Sequence, residues 1–397
     1  MRLKFTPEAE AVRAEFSAWL DANLPAPEEC QPRSTSSADS PPWARAFQRK
    51  MFDAGWLLPG QPPEFGGRRA SLVEQLMVQE VLMQRRIYHS FNPQGLNIIT
   101  PSILMFGTQE QKERWALPVM RGEITAALGM SEPGAGSDLG GLRTRAVLDG
   151  NEFVVNGQKV WTSGAHHADY IFAFVRTDPD VPKHKGISAL IIPTDLPGVT
   201  RRPFGSICSP DDTDFNEVFF DDVRVPAENL VGGLNNGWKV VNGALGEERA
   251  FLWLSQYERL DETIRDFANE VRGTDIADDP TTQDWFGKLV IDAQALRLLG
   301  YRTVAATARG VDTSEQSILK LFGAEAAQSA ANAALERLGT LSLDRDRATA
   351  PFEPMNGDEF GGSWFNRYAR SFSQTIAGGT SEIQRNIVAE RVLGLPR

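Results

Sequence analysis

The sequence predicts an α+β protein in three parts: an N-terminal helical domain over residues 1–127, a middle antiparallel β-barrel or sandwich over 128–232, and a C-terminal four-helix bundle over 233–397. Three observations predict it. Capping-box patterns open helices in the first third, β-rich runs broken by Pro, Gly and Asp fill the middle, and long segments with helical apolar spacing return after Asn236. At 397 residues the chain exceeds what one core usually supports, so several packed substructures are expected, with enough interior to bury a large cofactor.

Taken in order, Thr6 can cap and Pro7 suits the first helical position of a segment whose Val12, Phe16, Trp19 and Leu20 share one face, until Pro25 and Pro27 stop it. The Pro- and Ser-rich stretch 26–42 is a loop. Ser71-x-x-Glu74 and Thr108-x-x-Gln111 each pair a hydroxyl with a side chain that reaches back to it, opening helices over 72–84 and 109–115. Near Leu128 the pattern changes. Phe153-Val154-Val155, Asn156-Gly157 and Lys159-Val160-Trp161 spell strand, type I′ turn and strand, a hairpin. Residues 170–175, 187–192 and 218–225 add strands, and helical spacing then covers 237–266, 285–308, 315–338, 364–376 and 381–393.

The net charge is -11 and the pI about 5.1, with no like-charge run that would suit a nucleic-acid arm or a membrane patch. Neither nucleic-acid binding nor membrane insertion is expected: the N-terminus lacks an apolar signal core, and no apolar run approaches the ~20 residues of a spanning helix. A cytoplasmic protein is the expectation. Cys30 and Cys208, the only cysteines, have no CxxC neighbour, so neither a disulfide framework nor a metal site is expected.

Four places carry residue types suited to chemistry. In Ser131-Glu132-Pro133-Gly134-Ala135-Gly136-Ser137-Asp138 the glycines let backbone approach a ligand and present N–H groups, although a plain turn has the same spelling. It is not a dinucleotide GxGxxG, because Leu139 stands where glycine is needed, and Pro133 breaks a GxSxG elbow. Trp161-Thr162-Ser163 puts an indole and two hydroxyls at a strand end, where they either meet a planar ring or fill a core. Gly378-Gly379-Thr380 precedes a helix whose first N–H groups suit an anion or simply begin the helix. Glu247 and Glu248 point about 100° apart on a helix, so only one can face a given pocket; a carboxylate among apolar walls becomes a base near neutral pH. His166 and His167 face opposite ways on extended chain, and Asp211, Asp212 and Asp214 lack the glycine and terminal Glu of a calcium loop, so neither group reads as a metal site.

Five separated segments fall in the order found in one family: 107–112 (Gly-Thr-Gln-Glu-Gln-Lys), 131–138, 156–163 (Asn-Gly-Gln-Lys-Val-Trp-Thr-Ser), 222–226 (Asp-Val-Arg-Val-Pro) and 379–385 (Gly-Thr-Ser-Glu-Ile-Gln-Arg). From Phe5 to Arg397 the chain resembles the acyl-CoA dehydrogenases, in particular their actinobacterial members. The resemblance implies the three-part fold above, with FAD lying between the β-domain and the bundle. Met130, Ser131, Gly136, Ser137, Trp161, Thr162 and Ser163 would line its ring and ribityl side, and Thr380 and Glu382 its other flank or phosphates. It implies an acyl-CoA substrate, whose α-proton goes to a base as a β-hydride moves to flavin N5, giving a trans-2-enoyl-CoA, with electron transfer flavoprotein as acceptor.

Many members carry the base just before the C-terminal Gly-Thr pair, where this chain has Gly378. A smaller set, including isovaleryl, long-chain and sterol side-chain enzymes, places it before the arginine of the helix opening the bundle. That matches Glu248 followed by Arg249, with Arg249 orienting the base or the thioester end and Ser137 also near the substrate. The Arg-x-x-Phe-Gly segment through which a neighbouring subunit often grips FAD is missing between Phe267 and Phe286, and the usual Gly-Gly-x-Gly run is replaced around Leu338-Gly339-Thr340-Leu341. Related sterol enzymes that diverge here pair unlike subunits, so the expected assembly is a homo-oligomer (dimer or tetramer) or a heteromer with a related subunit. The same fold also admits an acyl-CoA oxidase or flavin monooxygenase-like enzyme, or a non-catalytic subunit of a heteromer.

Overall fold

The computed structural model describes residues 5–30, 36–87, 90, 92–207, 213–248, 251–311, 315–344 and 363–396. Helices come first: α1 (Pro7–Asn23), α2 (Pro42–Asp53), α3 (Leu72–Gln84), α4 (Thr100–Phe106), α5 (Gln109–Gln111) and α6 (Leu117–Met120). Strands follow: β1 (Ala126–Gly129), β2 (Arg145–Asp149), β3 (Glu152–Lys159), β4 (Tyr170–Arg176), β5 (Ile187–Pro193), β6 (Val199–Phe204), β7 (Phe215–Pro226) and β8 (Leu230–Val231). The rest is helical: α7 (Gly237–Glu248), α8 (Leu252–Glu270), α9 (Asp275–Asp278), α10 (Pro280–Thr307), α11 (Glu315–Leu338), α12 (Trp364–Gln374) and α13 (Ser381–Ile387). The order is helical, β and helical in turn, the three-part arrangement that the sequence predicts. Among the described residues no helix is long and apolar enough to cross a membrane.

Both capping boxes form. The Ser71 hydroxyl accepts from the Glu74 N–H while the Glu74 carboxylate accepts from the Ser71 N–H at 2.6 Å, and Thr108 and Gln111 do the same. By packing, the chain divides into two compact units, one of residues 19–69 and 89–248, the other of residues 1–18, 70–88 and 249–397.

The first unit is built on one sheet in the order β6-β7-β3-β2-β4-β5-β8, with β1 added beside β4 in parallel. β4 and β5 are buried along nearly their whole length because both faces are covered. Tyr170, Phe172 and Phe174 pack with Ile99, Ile103 and Trp115 on one side, and Ile171, Ala173 and Val175 with Phe153, Val155 and Val223 on the other. The turn expected at Asn156-Gly157 is not there. β3 runs straight through both residues, and the chain reverses instead between β2 and β3, where Gly150 has φ 62°. Asn156 uses its side chain sideways: its amide donates to the Asp222 carboxylate (2.9 Å) and its carbonyl accepts from the Asp222 N–H (3.0 Å), fixing an irregularity in the β3–β7 pairing. Gly157 is required because a Cβ there would stand 2.6 Å from Thr144 Cα.

In the second unit α8, α10 and α11 pack around Trp253, Leu260, Leu289, Leu296 and Leu319, joined by Leu76 and Met77 of α3, while α12 packs on α11 and brings Trp364 against Phe267 and Leu338. α8 and α10 approach closely at Gly300, where a Cβ would meet the Trp253 indole at 2.1 Å. Buried Glu80 of α3 accepts from Arg13 Nη2 at 2.7 Å and from the Tyr301 hydroxyl. The single helix expected over 237–266 is two helices, α7 and α8.

Candidate functional site

In the first unit the candidate residues gather where β1 and β3 end side by side. β1 delivers Met130 and Ser131, and the chain then makes a tight turn in which Glu132 and Ala135 exchange backbone hydrogen bonds of 3.0 Å. Gly134 and Gly136 have no atom within 4 Å of where a side chain would begin, and Gly136 and Ser137 are exposed, so this backbone is open to a ligand. Asp138 accepts from Lys183 Nζ at 2.7 Å, and that hydrogen bond holds its carboxyl below the usual range.

β3 ends at Lys159, which is 0% exposed. Its Nζ donates to Glu132 Oε1 at 2.8 Å and to the Met130 carbonyl at 3.2 Å. Burial pushes this lysine down to about 8, against the pull of the Glu132 carboxylate. Glu132 also accepts the backbone N–H groups of Arg143 (2.6 Å) and Thr144 (2.9 Å). Burial acts to raise its carboxyl, yet Lys159 and these donors hold it below the ordinary value. One residue on, the Val160 N–H donates to the Ser131 carbonyl at 3.0 Å, so two successive carbonyls of the β1 exit are tied to the β3 exit.

Trp161 follows with φ 61° and is 59% exposed, its ring meeting Phe204 and Phe215 edge-on with centroids 5.2 and 5.4 Å away. A bulky residue in the left-handed region, with a large apolar ring in solvent, combines two features that mark functional sites. Thr162 is 0% exposed, and among the described residues its Oγ1 has no hydrogen-bond partner. Its backbone is clamped by Asn216: the Asn216 carbonyl accepts from the Thr162 N–H (3.2 Å), and the Asn216 side-chain amide donates to the Thr162 carbonyl (3.1 Å). Ser163 begins the turn that follows and is partly buried. His166 meets Asn216 Nδ2 at 3.0 Å, and among the described residues no three side chains are grouped to hold a metal ion.

In the second unit Gly378 and Gly379, at φ 67° and 94°, turn the chain into Thr380, whose hydroxyl accepts from the Ile383 N–H at 3.2 Å and caps α13. Glu382 is exposed in the first turn. Lys320 Nζ donates to the carbonyls of Gln374 and Gly379, both at 2.8 Å, and so fastens the glycine turn. Glu248 is the last residue of α7, and its side chain lies outside the described ones; Arg249 lies outside the described residues altogether.

FAD, the group the resemblance implies, fits the residues present. An exposed indole offers a planar face, the Thr162 hydroxyl is a buried hydrogen-bonding group awaiting a partner, and the backbone around Gly134 and Gly136 is uncovered. Sequence reasoning missed Lys159, Asn216 and Lys320 as supports of this arrangement. The Asn-Gly-Gln-Lys stretch contains Lys159, but nothing local says that this lysine is buried.

Family models match the chain in three consecutive blocks: the acyl-CoA dehydrogenase N-terminal domain over residues 6–123, the middle domain over 127–223 and the C-terminal domain over 235–393. Acyl-CoA dehydrogenase FadE26 of Mycobacterium tuberculosis is 33% identical over 411 residues, spanning 100% of this chain and 99% of that protein. Acyl-CoA dehydrogenase IpdE1 of the same organism is 34% identical over 396 residues, 98% of each. A chain of the ChsE4-ChsE5 complex from Mycobacterium tuberculosis matches with a TM-score of 0.82 and 32% identity over the full length of both. A structure described as the Tcur3481-Tcur3483 steroid ACAD matches equally, with a TM-score of 0.82, 30% identity and full coverage of both chains.

Proposed function

Because this chain belongs to the acyl-CoA dehydrogenase family, we propose that it carries out FAD-dependent α,β-dehydrogenation of an acyl-CoA thioester to a trans-2-enoyl-CoA, with electron transfer flavoprotein as the acceptor. The acyl group in this reading carries a steroid, which the description of one full-length structural relative as a steroid ACAD supports. The observation that carries the proposal is the strained, exposed Trp161 beside the buried Thr162 hydroxyl, which has no partner among the described residues, a surface suited to a flat, hydrogen-bonding ring.

Glu248 is the base that takes the α-proton, and Arg249 orients it or the thioester end of the substrate. Met130, Ser131, Gly136, Ser137, Trp161, Thr162 and Ser163 hold the flavin's ring and ribityl side, with Ser137 also near the substrate; Thr380 and Glu382 contact its other flank or phosphates. When bound, FAD supplies the acceptor for the β-hydride. The chain's own work is to place a carboxylate against the α-carbon, exclude water from it and keep the thioester aligned. A related but unlike subunit is the favoured partner, because one full-length relative is a chain of a two-protein complex.

The test is a panel of straight, branched and steroid acyl-CoA thioesters with a ferrocenium acceptor, run on the parent and on Glu248→Gln. Turnover should fall about 10²- to 10⁴-fold in the variant with the flavin spectrum unchanged. A variant that keeps a substantial share of turnover would overturn Glu248 as base, and peroxide formed at the rate of dye reduction would make the enzyme an oxidase.

A further inference from the structure

The left-handed backbone of Trp161 needs a cause, because such strain survives only where the surroundings over-determine it. The ring itself does not supply one: it meets Phe204 and Phe215 only edge-on and is 59% exposed. The neighbours on either side are fastened instead. Upstream, the Val160 N–H is tied to the Ser131 carbonyl, and the fully buried Lys159 ties the Met130 carbonyl and the Glu132 carboxylate together. Downstream, Asn216 holds both the N–H and the carbonyl of Thr162.

We propose that the Glu132–Lys159 pair and the Asn216 amide are positioning residues for the flavin-facing edge: together they force Trp161 into its strained turn and keep its indole presented to the cofactor. This rests on the functional reading given above. A buried ion pair is a poor source of stability, since apolar replacements of like volume are often neutral or stabilising, whereas it does fix one geometry among several. Here the geometry fixed is the spacing between Met130-Ser131 and Trp161-Thr162-Ser163, two segments that must meet one rigid ring. Glu132 cannot relax away from Lys159, because the N–H groups of Arg143 and Thr144 hold it from behind.

The experiment compares the parent with Glu132→Gln/Lys159→Met, in which both charges leave together so that neither is stranded. Three quantities are read: the thermal midpoint, the FAD dissociation constant from titration of apoprotein, and the indole N–H resonance of Trp161, identified by its loss in Trp161→Phe. The double variant should fold but melt lower than the parent, because a glutamine offers one oxygen to the two N–H groups that the carboxylate accepts; it should shift the Trp161 resonance toward the solvent-averaged position without any flavin present, and bind FAD roughly 10²-fold more weakly, the scale expected for a small misplacement of a rigid site. If it fails to fold, Asn216→Ala, which frees the Thr162 carbonyl along with Asp214 and His166 and keeps the backbone bond to the Thr162 N–H, is read the same way. A folded double variant, or in its absence a folded Asn216→Ala, with parental FAD affinity and an unmoved Trp161 resonance overturns the positioning role alone. A parent that binds no FAD, by itself or with its related subunit, overturns the flavin reading and this proposal together.

Discussion

The Lys320 ammonium donates to the Gly379 carbonyl at 2.8 Å, and through a second bond of the same length to Gln374 it closes the turn between α12 and α13. Both glycines of that turn are left-handed and bring no side chain of their own, so the turn is held by Lys320 and by Gln384, whose Nε2 donates to the Gly378 carbonyl at 3.3 Å. Lys320→Met keeps the aliphatic stem and removes both charge-assisted bonds. It should lower stability by ~1.5–3 kcal/mol, the usual worth of hydrogen bonds to a charged group, seen as an earlier urea midpoint. A midpoint unchanged from the parent would refute the role.

Along one face of α8 stand Glu258, Glu262 and Asp266. Asp266 is clamped by Arg86 at 3.6 Å and by Arg367, but Glu258 has no such partner among the described residues. Burial pushes Glu258 up to about 8, Glu262 adds to the rise, and Arg259, Arg265 and Arg86 oppose it. Glu262 is raised as well, chiefly by burial. An acid whose pKa is higher when folded than when unfolded contributes stability that is complete below the ordinary carboxylate range and is lost as pH rises through the folded value. The thermal midpoint should therefore drop between about pH 4.5 and about pH 8, and Glu258→Gln should flatten that fall. A variant with the same downward slope would show that Glu258 is not its source.

Trp161→Gly should separate stability from function. Glycine adopts φ 61° freely, releasing strain of about 1–3 kcal/mol, while the indole, 59% exposed, gives up edge-on contacts with Phe204 and Phe215. The melting temperature should match or exceed that of the parent while flavin affinity falls. A clear loss of thermal stability would mean that the indole is there for packing.

Gly157→Ala should be harmful although alanine is small. The new methyl would stand 2.6 Å from Thr144 Cα on a backbone with φ 148°, costing about 1–3 kcal/mol or more. Chemical denaturation measures it; a loss under half a kcal/mol would mean that β2 gives way.

Much of the fold was legible because its signals are local. A capping box needs only residues three apart, and α11 matched its expected bounds because its apolar spacing continues to Leu338. Asn156-Gly157 misled because the residue pair that makes a tight turn also suits a strand crossing a crowded neighbour, and the deciding contacts come from Asp222 and Thr144. β1, four residues without alternation, carried no signal. At the candidate site the exposed, strained Trp161 was nameable from its motif, but its supports were not. A lysine reads as surface until Glu132, 27 positions earlier, is found against it, and Asn216 lies 54 positions from the threonine it holds.

The paired aspartates of β7 set which way the end of that strand faces. Before them the inward side chains are even-numbered, Asn216, Val218 and Phe220; after them they are odd-numbered, Val223 and Val225, the change of phase falling at Asp221-Asp222, where φ reaches 47°. A regular, unbulged strand through Asp221-Asp222 would turn the last stretch inside out, driving the Arg224 guanidinium into the apolar interior and casting two valines into water. The two acids thus act as a frame-keeper for the strand that carries Asn216.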